Sequence, residues 1–426
     1  MTSGSPAAPP PEVEARNEPD DDPTPTERVQ ASLRRKGLLP RPKPLRALVK
    51  LAESLPTRGN DLDLFFTGEP LFDRMVEDIQ GATTRIAMEI YTFRSDSTGR
   101  RIAKALCAAA RRGVEVRVIF DAVGCFGTPS SFFGILAESG VLLLEYHPIA
   151  PWRKRFALLE RNHRKTLIVD GRIGYTGGFN IGNDWLDPPE GAGWRDTHAR
   201  VDGPAAGDLE ALFVDSWYRQ SGEHLRLERL IPREPDVADD DPHRHRQIYV
   251  IGRRGGALDR PLRKLYLLAL GRARRSVTIT SAYLVPDPKM RRALRAAARR
   301  GLDVRLLLPG RSDVGLVHWA SRHFFDRFLR WGVDIYLWAP TVLHAKTAVV
   351  DERWCTIGSA NLDSLSFNWN LEANFVVECA HTGRALEEQF RLDLDQSDRV
   401  VDDEWRKRPR LDRLREWLAA LLAPIL

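Results

Sequence analysis

The stretch "NHRKTLIVDGRIGYTGGFN" at 162–180 is matched almost position for position by "LHAKTAVVDERWCTIGSAN" at 343–361. Both copies fit the pattern H-x-K-x4-D-x6-G-[GS]-x-N. Six matched positions that occur twice indicate a duplicated unit rather than a chance pair. Each copy also contains a β-branched, apolar run of the kind found in buried strands.

The surroundings of the two motifs repeat as well. The hexapeptide AAARRG occurs at 108–113 and again at 296–301, and an apolar residue, an acidic residue, Val and Arg follow it each time. Alternating strand and helix patterns precede it in both halves. We therefore predict an α/β protein of two duplicated lobes, each a mixed sheet flanked by helices, with the active site at their pseudo-twofold interface.

The length and local composition predict how the chain is divided, because 426 residues exceed what one hydrophobic core usually serves. The predicted segments are an acidic, proline-rich disordered tail (1–30), an amphipathic N-terminal segment (31–58), a first lobe (59–224), a linker (225–247), a second lobe (248–400) and a C-terminal amphipathic helix (401–426). His243 and His245 form an HxH in the linker, which we interpret as solvated surface.

Charge is unevenly distributed. The chain carries +6 and residues 1–30 carry −5, so the remainder carries +11. A body this basic favours an anionic partner, such as nucleic acid, a phosphorylated metabolite or acidic lipid; solubility alone is the alternative. The four cysteines are scattered without a CxxC, which predicts neither a disulfide framework nor a zinc site and fits a reducing compartment.

The paired motif points to phosphoryl chemistry. Alternate residues of a strand face the same way, so His163 lies with Lys165 and His344 lies with Lys346. A buried lysine needs an anionic partner, and phosphate would supply one. If the lobes face each other, both pairs converge on one tetrahedral anion without a metal or cofactor. One histidine can then attack phosphorus while the other protonates the departing oxygen.

Further motif residues complete the predicted site. Asn180, Ser359 and Asn361 can donate hydrogen bonds to phosphate oxygens. Asp170 and Asp351 close the two motifs, either as members of the catalytic set or only as turn residues.

A reactive histidine needs its second ring nitrogen fixed by an acceptor. Asp196 follows His163 by 33 residues and Glu372 follows His344 by 28, so we assign each carboxylate to the histidine of its own half. A surface salt bridge is the alternative for both carboxylates. His198 stands two residues after Asp196, where a structural role and a substrate contact are equally open.

With its doubled HxKxxxxD motif, the sequence resembles the phospholipase D superfamily. The segments "GWRDTHARV", "SAYLVPD", "GRSD" and "LDLDQS" are similar to bacterial cardiolipin synthases, and the resemblance covers about residues 60–426. It implies a phosphohistidine on His163 with His344 as general acid, or the reverse. It also implies transfer of a phosphatidyl group between two phosphatidylglycerol molecules with release of glycerol. A hydrolytic phospholipase D or a nuclease of the superfamily is the alternative.

Many such synthases begin with two hydrophobic helices, which this chain lacks, so it looks like a shorter type. No apolar run approaches the ~20 residues that span a bilayer, and residues 1–30 contain no signal-like apolar region. We expect a cytoplasmic enzyme, peripheral on the inner face of a membrane containing phosphatidylglycerol and cardiolipin, with no nucleic-acid partner.

The C-terminal residues carry an apolar stripe of Leu411, Leu414, Leu418, Leu421, Leu422 and Ile425. This stripe would either lie in the membrane interface or pack on its own lobe.

Overall fold

The structure, a computed structural model, describes residues 56–149, 160–188, 192–225, 246–253 and 260–423. The predicted tail, almost all of the amphipathic N-terminal segment and nearly the whole linker with its two histidines lie outside the described residues. The same holds for the last three residues of the predicted C-terminal helix.

The described part of the first lobe is one mixed sheet with helices on its faces. In spatial order its strands run β1-β7-β6-β5-β2-β3-β4, with β2, β3 and β4 parallel. Along the chain the elements are β1 (Asp61–Phe65), α1 (Gly68–Gly81), β2 (Arg85–Ile90), α2 (Ser97–Arg111), β3 (Glu115–Asp121), α3 (Ser130–Glu138), β4 (Leu142–Tyr146), β5 (Thr166–Val169), β6 (Ile173–Gly177), β7 (His198–Asp202) and α4 (Ala205–Ser221).

The second lobe repeats this arrangement and adds one edge strand. Its spatial order is β8-β14-β13-β12-β9-β10-β11-β15, which matches the first lobe strand for strand up to β11. Along the chain the elements are β8 (Gln247–Gly252), α5 (Pro261–Arg272), β9 (Ser276–Ser281), α6 (Pro288–Arg299), β10 (Asp303–Pro309), α7 (Gly315–Arg322), α8 (Phe325–Arg330), β11 (Asp334–Trp338), β12 (Lys346–Val350), β13 (Trp354–Gly358), α9 (Ser364–Asn368), β14 (Ala373–Glu378), α10 (Ala380–Leu394), β15 (Ser397–Arg399), α11 (Asp402–Arg406) and α12 (Arg410–Ala420). The duplicated α/β fold is confirmed.

The repeated hexapeptide marks corresponding helix ends. Both α2 and α6 begin at an aspartate whose side chain accepts a backbone N–H, from Gly99 for Asp96 and from Lys289 for Asp287. Each is followed by the glycine of AAARRG in the left-handed region, with φ of +93° at 113 and +79° at 301. A glycine there ends the helix without a Cβ clash, so the chain can turn into the next strand.

The two sheets pack against each other and form a shared core. Buried apolar side chains from both lobes belong to one cluster, among them Ile168 and Val201 of the first lobe and Val349, Ile357 and Phe375 of the second. Because the strands that carry the motifs are next to this interface, the motif ends of the two lobes are brought together.

The C-terminal prediction was wrong in one respect. Instead of one helix, the structure has α11 and α12, which are separated at Pro409 because the residue before a proline disfavours helical backbone. α12 packs along α7. No helix in the part of the chain that the structure describes is long and apolar enough to cross a membrane.

Candidate active site

Short backbone ladders between the lobes position both histidines. The backbone N–H of His163 donates to the carbonyl of Leu371, with an N–O distance of 3.0 Å. The backbone N–H of His344 donates to the carbonyl of Arg195 at 2.7 Å. Each histidine is thereby tied to the residue that precedes the candidate carboxylate of the opposite lobe.

The histidine–carboxylate pairs are therefore crossed between the lobes. Nδ1 of His163 lies 3.1 Å from both carboxylate oxygens of Glu372. Nδ1 of His344 lies 2.6 Å from Oδ2 of Asp196. The predicted pairing within each half was wrong. Which carboxylate a histidine meets depends on how the two lobes pack, and spacing along the chain does not show this.

Asp196 is held by rigid neighbours. Its Oδ2 also accepts the indole N–H of Trp185 at 3.1 Å, and its Oδ1 accepts the backbone N–H of Thr197 at 2.8 Å. A Cβ atom at Gly178 would lie 1.9 Å from Oδ1, so only glycine fits at this motif position. The close approach of the aspartate thus explains Gly178, whereas a Cβ at Gly177 would lie 2.5 Å from the Cα of His198 and from the carbonyl oxygen of Thr197.

Glu372 is held differently. The hydroxyl of Ser359 donates to Oε2 of Glu372, and the backbone N–H of Ala373 donates to the Ser359 hydroxyl at 3.1 Å. Ser359 occupies the motif position that glycine has in the first lobe. Its predicted contact with phosphate was wrong, because its only hydroxyl proton is directed to the glutamate. Its observed role is to support the carboxylate.

Both motif lysines are buried beside the histidines. Nζ of Lys165 donates to the carbonyl of His163 at 2.7 Å, and Nζ of Lys346 donates to the carbonyl of His344. Burial lowers the pKa of Lys165 from its ordinary value to about 7, and it also lowers the pKa of Lys346. An anion bound next to them would favour the charged ammonium groups, so this pair forms a site suited to phosphate.

The histidine rings are neutral near pH 7. Burial lowers the pKa of His163 to about 4, although Glu372 opposes the shift. Burial lowers the pKa of His344 too, with a further contribution from Lys346. A carboxylate only accepts hydrogen bonds, so each Nδ1 must carry the proton. The lone pair of each ring is consequently on Nε2, away from the carboxylate.

The two asparagines are buried. Oδ1 of Asn180 accepts the backbone N–H of Thr92 at 3.1 Å, which leaves its NH2 group as the donor. Oδ1 of Asn361 has no hydrogen-bond partner among the described residues. Their binding of phosphate stays a prediction.

The motif aspartates lie at the other end of their strands. Asp170 is five residues beyond Lys165, about 16 Å along an extended strand. Its carboxylate accepts backbone N–H groups of residues 83–85 at 2.8–3.0 Å, and Asp351 does the same for residues 274–276 at 2.7–3.1 Å. Both have a φ of +52°, which aspartate tolerates in turns. Their predicted membership of the catalytic set gives way to the turn interpretation.

His198 is a buried histidine whose two ring nitrogens have no partner among the described residues. Its ring lies 6.4 Å from that of Tyr175 and 5.9 Å from that of Phe179, centroid to centroid. In the second lobe the corresponding residue, Asn374, donates to Thr356 at 3.0 Å. These contacts favour the structural interpretation of His198.

Arg164 was not identified from the sequence, although it stands between the histidine and the lysine of the first motif. It is fully buried and donates to both oxygens of Glu89 at 3.2–3.3 Å, to the carbonyl of Leu212 at 2.9 Å and to that of Glu372 at 3.3 Å. Glu89 also accepts from the side chain of Asn162, the residue before the first histidine. This network fixes the backbone of the motif.

Aromatic and acidic side chains around the histidines were also missed. The ring of Tyr91 lies 4.9 Å from that of His163, and Tyr91 lines an open groove of about 560 Å³. In the second lobe the hydroxyl of Tyr283 donates to the carboxylate of Asp313, with distances of 2.7–2.8 Å. The segments "SAYLVPD" and "GRSD" contained Tyr283 and Asp313, whereas none of the segments quoted above contained Tyr91.

The described residues contain no group of three or more His, Cys, Asp and Glu side chains placed to hold a metal ion. The groups that the structure does bring together are the histidines, the carboxylates that orient them and the lysines.

Known proteins match the chain over most of its length. The family described as cardiolipin synthase, PLD-like domain, matches residues 75–193 and 266–394, once in each lobe. The cardiolipin synthase of Clostridium perfringens (strain 13 / Type A) is 32% identical over 375 residues, which cover 87% of this chain and 78% of that protein. The major cardiolipin synthase ClsA of Bacillus subtilis (strain 168) is 32% identical over 371 residues, which cover 87% and 76%.

Among solved structures, the phosphatidylserine synthase of Haemophilus influenzae Rd KW20 superimposes with a TM-score of 0.68 at 12% sequence identity, covering 90% of this chain and 100% of that one. This likeness concerns the fold. The matched domain in each lobe and the identity to the synthases confirm the resemblance drawn from the motifs. The chain belongs to the cardiolipin synthase, PLD-like domain family of the phospholipase D superfamily.

Proposed function

We propose that this enzyme is a phosphatidyltransferase that makes cardiolipin from two phosphatidylglycerol molecules and releases glycerol. The observation that carries the proposal is the pair of crossed histidine–carboxylate contacts beside two buried lysines. It is supported by the 32% identity to cardiolipin synthases over 87% of the chain.

In the proposed first step, Nε2 of His163 attacks the phosphorus of one phosphatidylglycerol. The bond between phosphorus and the headgroup glycerol oxygen breaks, and His344, entering the step as the imidazolium, gives its Nε2 proton to that oxygen. The anionic phosphodiester and the paired Asp196 both favour the protonated ring at this stage. The products are free glycerol and a phosphatidyl group bound to His163.

In the second step, the headgroup hydroxyl of another phosphatidylglycerol attacks the same phosphorus. Neutral His344 takes the hydroxyl proton, the bond between phosphorus and His163 breaks, and the lone pair returns to Nε2. Cardiolipin leaves, and both histidines recover their starting protonation. With water as the acceptor, the same step would give phosphatidic acid.

The other site residues have supporting roles. Lys165 and Lys346 balance the negative charge that develops on the non-bridging oxygens, where a dry site strengthens their effect. Asn180 and Asn361 donate hydrogen bonds to those oxygens through their amide groups. Glu372 orients the attacking histidine.

We assign the attack to His163 because it is the more accessible ring, with 9% exposure against 4% for His344. Tyr91, whose ring lies beside that of His163, also lines the open groove, so the groove is on the His163 side of the site. His344 is instead enclosed by the rings of Trp185 and Trp194, with centroids 5.8 Å and 5.9 Å away.

We further propose that the enzyme is cytoplasmic and binds the anionic inner face of the cell membrane peripherally. Its substrates are lipids, and the chain beyond residue 30 carries +11. Such a body is attracted to an anionic leaflet, with about 1 kcal/mol for each well-placed Lys or Arg.

Product analysis tests the function. Purified protein is incubated with phosphatidylglycerol vesicles, beside the His163→Ala and His344→Ala variants. We expect cardiolipin and an equal amount of free glycerol from the wild type only. Phosphatidic acid as the sole lipid product would replace the transferase with a hydrolase. Cleavage of single-stranded DNA without any lipid turnover would make it a nuclease.

A further inference from the structure

The C-terminal helix α12 presents its apolar residues to solvent. The side of the helix that faces α7 buries Glu416 and Ala419. The carboxylate of Glu416 accepts from Arg322 at 3.3 Å and from Arg408 at 2.9 Å. On and just beyond the outer side of the helix are side chains that remain 40–58% exposed, namely Leu411, Leu414, Trp417, Leu418, Leu421 and Leu422. We call these six residues the α12 stripe.

This orientation is the reverse of an ordinary surface helix, which buries its apolar stripe and exposes its charges. The reversal is firmly held, because Arg408 also pairs with Asp326 at 3.0 Å and lies 4.3 Å above the ring of Trp405. The buried charges thus fix the helix with its apolar face outward. Six large apolar side chains on one face form a patch of the kind that marks an interaction site.

The charges around the stripe complement an anionic surface. Lys407, Arg410 and Arg413 are exposed, and none has an acidic partner within salt-bridge distance in the described part of the chain. Successive residues of a helix are about 100° apart, so Arg413 and Arg415 flank the stripe on its two sides. An apolar face bordered by arginines is typical of a helix that lies in a lipid interface.

The helix that carries the stripe packs on an element that follows a loop of the active site. α12 packs along α7, whose first turn carries the exposed Leu316. The loop before α7 contains Asp313, which is bonded to Tyr283 beside the site, and the exposed Val314. The corresponding loop of the first lobe exposes Phe126 by 80%. Apolar side chains therefore border the entrance on both lobes.

We propose that the α12 stripe is the membrane-docking surface of the enzyme, seated in the interface of an anionic phospholipid bilayer with the flanking arginines at the phosphate groups. Docking through α12 brings the neighbouring loop of the second lobe, and with it the entrance of the site, to the lipid headgroups. The claim that the docked site meets its substrate rests on the proposed function, whereas docking itself is tested by vesicle binding alone.

The test uses the full chain and a triple variant with Leu414→Glu, Leu418→Glu and Leu421→Glu. The matched control carries Leu142→Glu and Leu392→Glu, two leucines that are similarly exposed, at 45% and 43%, on other surfaces. All three proteins are sedimented with vesicles of phosphatidylglycerol and phosphatidylcholine, and with vesicles of phosphatidylcholine alone. Turnover is measured on the same vesicles and on short-chain phosphatidylglycerol below its micellar concentration. Circular dichroism and light scattering check the folding and oligomeric state.

We expect the triple variant to lose at least tenfold in binding to the anionic vesicles and in turnover on them, and to keep its rate on short-chain lipid. The control should match the wild type in every assay. Wild-type binding by a folded triple variant would overturn the docking proposal. So would a triple variant whose only change is the loss of a dimer, because the stripe would then join two copies. Absence of turnover in all proteins would refute the proposed function, while the binding result would still decide the docking.

Discussion

The two halves of the active site have the same backbone and different carboxylates. In one half Glu372 meets His163 with both oxygens at 3.1 Å and is supported by a serine hydroxyl. In the other half Asp196 meets His344 with one oxygen at 2.6 Å, and a glycine leaves the room for it. A duplicated scaffold has thus kept the positions of its groups while their supports diverged. The two histidines therefore occupy equivalent positions but have different carboxylate contacts, which fits two different roles in one reaction.

The two lobes also differ in the charged side chains that are buried next to the motifs. The first lobe buries the ion pair of Arg164 and Glu89 under its histidine. At the corresponding positions of the second lobe stand Ala345 and Thr280, as the pairing of β12 with β9 shows. The second lobe therefore has no ion pair at these two positions, and His344 is instead bonded through its backbone to Arg195, which pairs with Asp393 at 2.8 Å.

The largest effect is expected from the histidines. His163→Ala should lower the rate of transfer by about 10⁴-fold or more because no covalent intermediate can form, and His344→Ala by about 10²–10⁴-fold. Wild-type enzyme incubated with lipid labelled at the headgroup phosphorus, then quenched in alkali, should carry label on His163. Peptide mapping that finds the label on His344 would reverse the two roles.

Breaking the ion pair of the first lobe should reduce stability strongly. Arg164→Met leaves the carboxylate of Glu89 buried without its cation, which typically costs about 3–5 kcal/mol. The matched change in the second lobe, Thr280→Val, removes only a hydroxyl. Urea unfolding followed by circular dichroism measures both free energies. If both variants lost the same free energy of unfolding, the ion pair of Arg164 and Glu89 would not stabilise the first lobe as proposed.

The variants of the two carboxylates should differ in rate when the substrate has a better leaving group. Asp196→Asn and Glu372→Gln should each lower turnover of phosphatidylglycerol by up to about 10⁴-fold, the loss found when a catalytic histidine loses its orienting aspartate. A phosphatidyl ester of p-nitrophenol needs no general acid in the first step, so Asp196→Asn should regain much of the rate of that step, measured as the burst of p-nitrophenol, while the second step, in which His344 is the base, stays slow. Glu372→Gln should remain slow because it impairs the attack. Rescue of Glu372→Gln alone would contradict the crossed pairing or the assignment of the nucleophile.

The lysine of the first motif predicts an alkaline limb in the pH profile. With a pKa lowered by burial to about 7, Lys165 is charged below that pH and neutral above it, so kcat/KM should fall as pH rises through about 7. A bound phosphodiester raises the pKa of Lys165, and kcat should consequently fall only at higher pH. Lys165→Arg, which stays charged, should remove the part of this fall that Lys165 causes if it folds, and should leave the part that comes from loss of the His344 proton. A kcat/KM that is constant from pH 6 to 9 in the wild type would refute the assignment.

The smallest effect concerns the serine that distinguishes the second motif. Ser359→Gly removes one hydrogen bond to a charged group, worth about 1.5–3 kcal/mol, and should slow transfer by about tenfold. The reverse exchange, Gly178→Ser, places a Cβ against Asp196 and should impair the enzyme far more. Initial rates of both variants on the same vesicles give the comparison. Similar losses would mean that the two motif positions are interchangeable after all.

Much of this was predictable from the sequence because the motif is doubled. Matched spacing predicted the two-lobed fold. Each lysine does lie beside its histidine, but strand parity is not the reason, because His163, Lys165 and His344 precede β5 and β12. The crossing of Asp196 and Glu372 was not predictable, since it depends on how the two sheets pack. The turn role of Asp170 needed the position of residues 83–85, which lie far away in the sequence. The outward face of α12 was equally hidden, because amphipathic periodicity does not say which side of a helix packs on its own lobe.

The crossed pairing is tested most directly by NMR of enzyme labelled with ¹⁵N in its histidine rings, recorded for the wild type and for Glu372→Gln and Asp196→Asn. Glu372→Gln should change the ring nitrogen signals of His163 and leave those of His344 in place. Asp196→Asn should do the opposite. The reverse pattern, with each substitution acting on the histidine of its own lobe, would contradict the account.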